Sequence, residues 1–114
     1  MAIGAGINSE ELQLKREILK IWGREGADKA EKYCLKLYYK KQNKTINFKR
    51  LVLKKLIMIE TELNHFESAL MWADKLIESL KKEGDNVNLK EIETMRKSVI
   101  EEQKEYHALH KISQ

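Results

Sequence analysis

Three observations predict an all-α fold for this 114-residue chain. Proline is absent, glycine occurs only five times with three of the five in the first 23 residues, and from Ser9 onward apolar residues recur at helical spacing. Helices can therefore run long without a break. The expected architecture is about five helices in one domain over residues 9–112. Two antiparallel helical hairpins occupy 10–42 and 47–83, and a long C-terminal helix follows over 88–112. A simple helical bundle is the alternative that the same periodicity allows.

Residues 1–8 carry neither the basic start nor the long apolar stretch of a secretory signal and are read as a flexible leader. Gly4-Ala5-Gly6 does not follow a strand, so a phosphate-cradling loop is not expected there. Ser9 is a suitable N-cap, Glu10 and Glu11 oppose the positive end of the helix dipole, and Leu12, Leu14, Ile18, Leu19, Ile21 and Trp22 supply an apolar face. The first helix is thus expected over about Glu10 to Trp22, with Gly23 and Gly26 bracketing a tight connection. Ala27, Ala30, Tyr33, Cys34, Leu37 and Tyr38 continue the spacing to about Gln42, where Asn43-Lys44-Thr45 forms a polar break. Phe48, Leu51, Val52, Leu56, Ile57 and Ile59 mark a strongly apolar third helix ending near Leu63. Asn64-His65 leaves room only for a reversal, and Phe66, Ala69, Leu70, Trp72, Ala73, Leu76, Ile77 and Leu80 carry the fourth helix to Glu83, with Gly84 as a left-handed stop. Asn88 with Glu91 three residues on resembles a capping box for the fifth helix. Its segment Glu101-Glu102-Gln103-Lys104-Glu105 is thinly apolar, so the last turns are expected to project, fray or pack on a neighbour.

At this length folding hides roughly two-thirds of the surface that the unfolded chain exposes, enough for a core without staples. The single cysteine, Cys34, has no internal disulfide partner, and no apolar run approaches the roughly 18 residues of a membrane span. A soluble, cytoplasmic protein without a membrane partner is expected.

A repeat organises the middle of the chain. At a constant offset of 39 residues, Ala27 aligns with Phe66, Ala30 with Ala69, Tyr33 with Trp72, Cys34 with Ala73 and Leu37 with Leu76. The run from Leu63 to Glu78 resembles the turn and second helix of a tetratricopeptide repeat. In that family a small residue lets two helices approach while aromatics three residues to either side fill the groove, and Ala69, Phe66 and Trp72 match. The first copy has Gly26-Ala27-Asp28-Lys29-Ala30 at its turn and Tyr33 after it. The resemblance covers about residues 11–83, with the fifth helix as a capping helix. Ile18 and Ile57 stand where the family has a small residue, its closing proline is missing, and the offset exceeds its usual spacing of about 34. The likeness is therefore to irregular repeats such as those in the helical tails of Gram-positive peptide-sensing regulators. It implies two stacked hairpins whose concave face binds a peptide or a partner helix.

The expected function is accordingly a non-enzymatic adaptor or regulatory module that binds a protein or peptide, with a homodimer among the options. No cofactor or metal is expected. Tyr33, Tyr38, Tyr39 and Trp72 are the aromatic candidates for the binding face; the competing reading places Tyr33 and Trp72 in the core. A second signal is electrostatic. Lys36, Lys40, Lys41, Lys44, Lys49, Arg50, Lys54 and Lys55 fall in a 20-residue stretch without an acidic residue. That stretch suits a solvated face first, then an acidic protein surface, then nucleic acid, since the net charge is only +4 and no recognition-helix signature accompanies it.

Candidate catalysts are weak. His65 belongs to the helix reversal, His107 and His110 have no nearby cysteine or second histidine pair to complete a metal site, and Cys34 aligns with Ala73 as a small buried residue. No carboxylate pair is marked for acid–base work. Asn43-Lys44-Thr45 fits a glycosylation acceptor, without consequence where no secretory signal is read.

Overall fold

The structure is a computed structural model that describes residues 9–40 and 45–112. The expected leader, the side chain of Ser9, and Lys41 and Lys44 of the basic stretch lie outside the described residues. Among the described residues five α-helices follow one another: α1 (Ser9–Glu25), α2 (Ala27–Tyr39), α3 (Ile46–Glu62), α4 (Phe66–Glu83) and α5 (Asn86–Ile112). The chain is all-α. No helix among the described residues is long and apolar enough to cross a membrane.

Each reversal has a local cause. Gly26 alone separates α1 from α2, at a φ of +97° that a side chain would strain. Gly23 stays inside α1, so the expected two-glycine bracket is corrected to a single turning residue; one positive φ suffices to redirect the chain, and helix interiors tolerate glycine at a cost of about 1 kcal/mol. The second helix ends at Tyr39, where Lys40 turns extended at φ −68° and ψ 128°; the expected end at Gln42 lies outside the described residues. Thr45 caps α3 by accepting from the Phe48 N–H at 3.1 Å. At the far end of α3, Asn64 adopts φ +64°, the His65 N–H donates to the Glu60 carbonyl at 2.8 Å and the Asn64 N–H to that of Thr61 at 3.0 Å. This Schellman turn folds His65 back over the last turn of α3. Gly84 repeats the device after α4. The cap of α5 differs from the expected Asn88 arrangement. Asp85 accepts from the Asn88 N–H at 3.2 Å and from its side-chain amide at 2.7 Å, so α5 starts two residues earlier. A charged carboxylate is the stronger acceptor for free helix N–H groups, and these bonds hold the Asp85 carboxyl below its usual range.

Packing runs in sequence order. Each helix lies against the next, and α3 also approaches α1 and α5. Glu11 shares a groove with Leu51 and Lys54, and the Trp22 indole N–H donates to Glu62, 40 residues on, at 2.9 Å. Hence α1 and α3 run parallel. Lys54 pairs with Glu91, and Met58 and Thr61 share a groove with Met95 and Ser98, each pair 37 residues apart, so α3 and α5 run parallel too. The backbones of α1 and α5 do not approach, and the molecule measures 60 × 34 × 26 Å. A closed bundle would bring its first and last helices together; this array stays open.

One continuous core threads the array, with Ile18, Leu56, Ile57 and Ile59 among its largest buried side chains. Ala30 and Ala69 are both 0% exposed. At α5, the ring of Tyr106 sits 5.4 Å from that of Phe66 and anchors the helix to the α3–α4 turn, while residues 107–111 beyond it are all exposed, as a projecting end would be. Cys34 is fully buried, and burial pushes its thiol up to about 12. A buried thiol held in its neutral form is a poor nucleophile, because the thiolate is the reactive species. A disulfide exchange reagent is therefore expected to leave the native protein unlabelled at pH 8 and to label it at once in denaturant. Rapid native labelling would mean that the thiol is not enclosed.

Candidate functional site

The parallel run of α3 and α5 leaves a trough between them. Asn47, Leu51, Lys54, Met58 and Thr61 recur every three or four residues on α3, and Asn88, Glu91, Met95, Ser98 and Glu102 do the same on α5. One groove of about 350 Å³ and a second of about 280 Å³ succeed one another along these two stripes. From Asn47 to Thr61 the α3 stripe is about 21 Å long at 1.5 Å per residue. Met58 is exposed and Met95 half-buried, giving a deformable apolar centre. The lining has four carboxylates (Glu11, Asp85, Glu91, Glu102) against two cations (Arg50, Lys54). An acidic trough thus crosses a chain of net charge +4.

Of the four aromatic candidates, only Tyr39 is open, at 65% exposure. Trp72 is 2% exposed and takes the core alternative; a partner-binding role on the surface is ruled out for it by burial. Tyr38 meets Trp72 edge-on at 5.2 Å, and Tyr39 leans on Tyr38 at 5.1 Å. Tyr33 is half-buried and donates to Glu17 at 2.8 Å; burial, then this bond, push its hydroxyl up to about 12.

The basic stretch does not share one face. Lys55 is 8% exposed, so it is corrected from surface lysine to core-edge residue; burial and the neighbouring Lys15 and Lys54 hold its amine below the usual range. Lys54 pairs with Glu91 on α5. Arg50, at the edge of the trough, reaches α4 instead, donating to the Ser79 carbonyl at 3.1 Å and to Glu83 at 2.9 Å. Lys40 is exposed, and Lys49 joins Arg50, Lys75 and Lys82 around a depression of about 400 Å³ floored by Tyr38, Ile46 and Leu53, with Glu78 among them. Acidic residues of α4 and α5 answer the acid-free segment of α3, which the linear sequence separates by some 30 residues.

A polar cluster that sequence reasoning missed lies where α2 meets the α3–α4 turn. His65 Nδ1 stands 3.0 Å from Glu31 Oε2 and 3.2 Å from Glu60 Oε1, and the Trp72 indole N–H donates to Glu60 Oε2 at 3.2 Å. The three ligand atoms lie within 4.8 Å of one another. His65 is the N-cap residue of α4 but makes no side-chain cap bond, because its imidazole is turned back to the carboxylates. Burial, then the hydrogen bond with Glu31, raise the Glu60 carboxyl, while sharing that proton with Glu60 lowers Glu31. Hydrogen bonds to Glu60 and then Glu31 raise the His65 imidazole. His65 stands in the helix reversal as expected, and its imidazole in addition joins two carboxylates that no sequence pattern marked as a pair. The 39-residue offset pairs Glu31 with Leu70 and His65 with Gly26, so no local pattern marked the cluster.

Fold and trough together define the chain as an open array of helical hairpins with an unfilled face along its odd-numbered helices. No family model, no curated protein and no solved structure matches it.

Proposed function

We propose that this chain is a non-enzymatic protein- or peptide-binding helical module of the adaptor or regulatory kind, acting in the cytoplasm, with the α3–α5 trough as its docking face. The observation that carries this reading is the trough itself: two parallel helix stripes, a methionine-centred floor and acidic margins, on a scaffold held rigid by its core. Such a groove accepts an amphipathic helix, apolar side down, with basic residues over the carboxylates. The tetratricopeptide likeness belongs to the same proposal and is supported by the parallel setting of α1 and α3 and by the burial of Ala30 and Ala69. Tyr39, Lys40 and Lys49 support a secondary contact with an acidic protein surface. Association with nucleic acid is the weaker reading, because Arg50 and Lys54 already have acidic partners and Lys55 is inside.

Met58→Glu tests the proposal, since Met58 is exposed at the trough's centre and its replacement leaves the core alone. Affinity capture with the wild-type chain should recover one stoichiometric protein or peptide, and the variant should bind it at least about tenfold more weakly with an unchanged melting curve, a loss of about 1.4 kcal/mol. Undiminished binding by the variant removes the trough from the proposal. Recovery of arbitrary DNA or RNA alone, with affinity falling by orders of magnitude between low and moderate salt, replaces it with the nucleic-acid reading.

A further inference from the structure

We propose that Glu31, Glu60 and His65 form a site for a divalent transition metal of the zinc type, clamping α2 of the first hairpin to the turn of the second. Two observations point to a cation independently. The first is metric. Imidazole Nδ1 lies 3.0 and 3.2 Å from the two carboxylate oxygens, and ligands at about 2.0–2.1 Å in a tetrahedron around zinc are separated by edges of about 3.3–3.4 Å. Two of the three edges are thus close to that spacing, and the two carboxylate oxygens lie within 4.8 Å of each other, so side-chain rotation alone can bring all three atoms onto one metal.

The second is a charge deficit. Glu60 is 3% exposed and lies beside Glu31, yet among the described residues no lysine or arginine forms an ion pair with either carboxylate. Lys32 acts on Glu31 only through space, so His65 is the one basic side chain within ion-pair distance of the two carboxylates among the described residues, and its side chain is 49% exposed. Two close carboxylates facing one imidazole favour the capture of positive charge, by a proton or by a metal ion.

The donor set selects the ion. Two carboxylates and one imidazole suit zinc or its neighbours, whereas calcium needs six to eight oxygen ligands and magnesium keeps most of its waters. Trp72 fixes Glu60 from behind through its N–H, the kind of outer contact that orients a ligating carboxylate. Because the His65 side chain is 49% exposed, water would be the fourth ligand. Binding would add a cross-link between elements 34 residues apart, from Glu31 to His65, and so stabilise the seam between the hairpins.

The test uses the full chain after dialysis against a chelator. Calorimetric titration with zinc chloride should give one ion per chain at micromolar affinity or tighter, zinc should raise the melting temperature, and Co²⁺ should develop the intense visible absorption of a four-coordinate site. Glu31→Gln and His65→Ala, both at the accessible edge of the cluster, should each weaken zinc binding at least tenfold, while the double variant His107→Ala with His110→Ala should bind as the parent does. Magnesium should give neither heat nor a melting shift. Absence of zinc binding, or binding that survives Glu31→Gln and His65→Ala and disappears with the two α5 histidines, overturns the assignment. The second result would leave the cluster as a proton-sharing structural contact.

Discussion

Trp72→Ala is expected to destabilise the fold by about 3–5 kcal/mol, the range for removing a buried aromatic from a packed core. The indole is 2% exposed, meets Tyr38 edge-on at 5.2 Å and donates to Glu60 Oε2 at 3.2 Å. Truncation thus opens a cavity and also strips a buried carboxylate of one hydrogen-bond donor, which costs more than the lost bond alone. Against a total stability of about 5–15 kcal/mol, that approaches unfolding. Chemical denaturation gives the measurement, with Trp72→Phe as the companion. Phenylalanine keeps most of the apolar volume but not the N–H, so its smaller cost isolates the contribution of the bond to Glu60. A cost below about 1 kcal/mol for alanine would place the indole at the surface, where the binding-face alternative had it.

Ala69→Leu should cost about 1–3 kcal/mol or more by overpacking, and Ala30→Leu should do the same. Both alanines are fully buried and lie on equivalent positions of α2 and α4, 39 residues apart. Helices separated by about 8–10 Å have no room for three further carbons at such a contact without a shift of the whole helix. Glu67→Leu, on the exposed side of the same turn, is the control and should change stability by less than about 0.5 kcal/mol. Melting curves of the three variants decide the matter. If both alanine variants melt with the parent, the close approach of helices at these positions is wrong and the repeat has no packing basis.

The elements were legible in the sequence because their causes are short-ranged. Thr45, Asn64-His65 and Gly84 act on N–H and C=O groups within a few residues, and the apolar spacing of α3 and α4 reports a core on either side of a three-residue reversal. Errors arose where two local solutions compete. Gly23 stayed helical because Gly26 alone turned the chain, and Asp85 capped three residues ahead of Asn88, so that Asn88 became a donor to the cap instead of the cap itself. The candidate surface was read less well. Periodicity puts Trp72 and Lys55 on helix faces but does not say which neighbour covers them, and the acid-free run of α3 gave no sign that Glu83 and Glu91 would neutralise Arg50 and Lys54.

By itself the sequence determined an all-α chain, the number and order of its helices, and the pairing of small and aromatic residues at equivalent positions, all of which follow from the helical period and from backbone preferences at single residues. Only the tertiary structure decided that the array stays open along α1, α3 and α5, that an acidic methionine-centred trough runs between two of them, and that Glu31, Glu60 and His65 converge. Those features depend on the registers of α3 against α5 and of α2 against the α3–α4 turn. A register is set by the fit of many side chains at once across elements far apart in the chain, and no local pattern carries it.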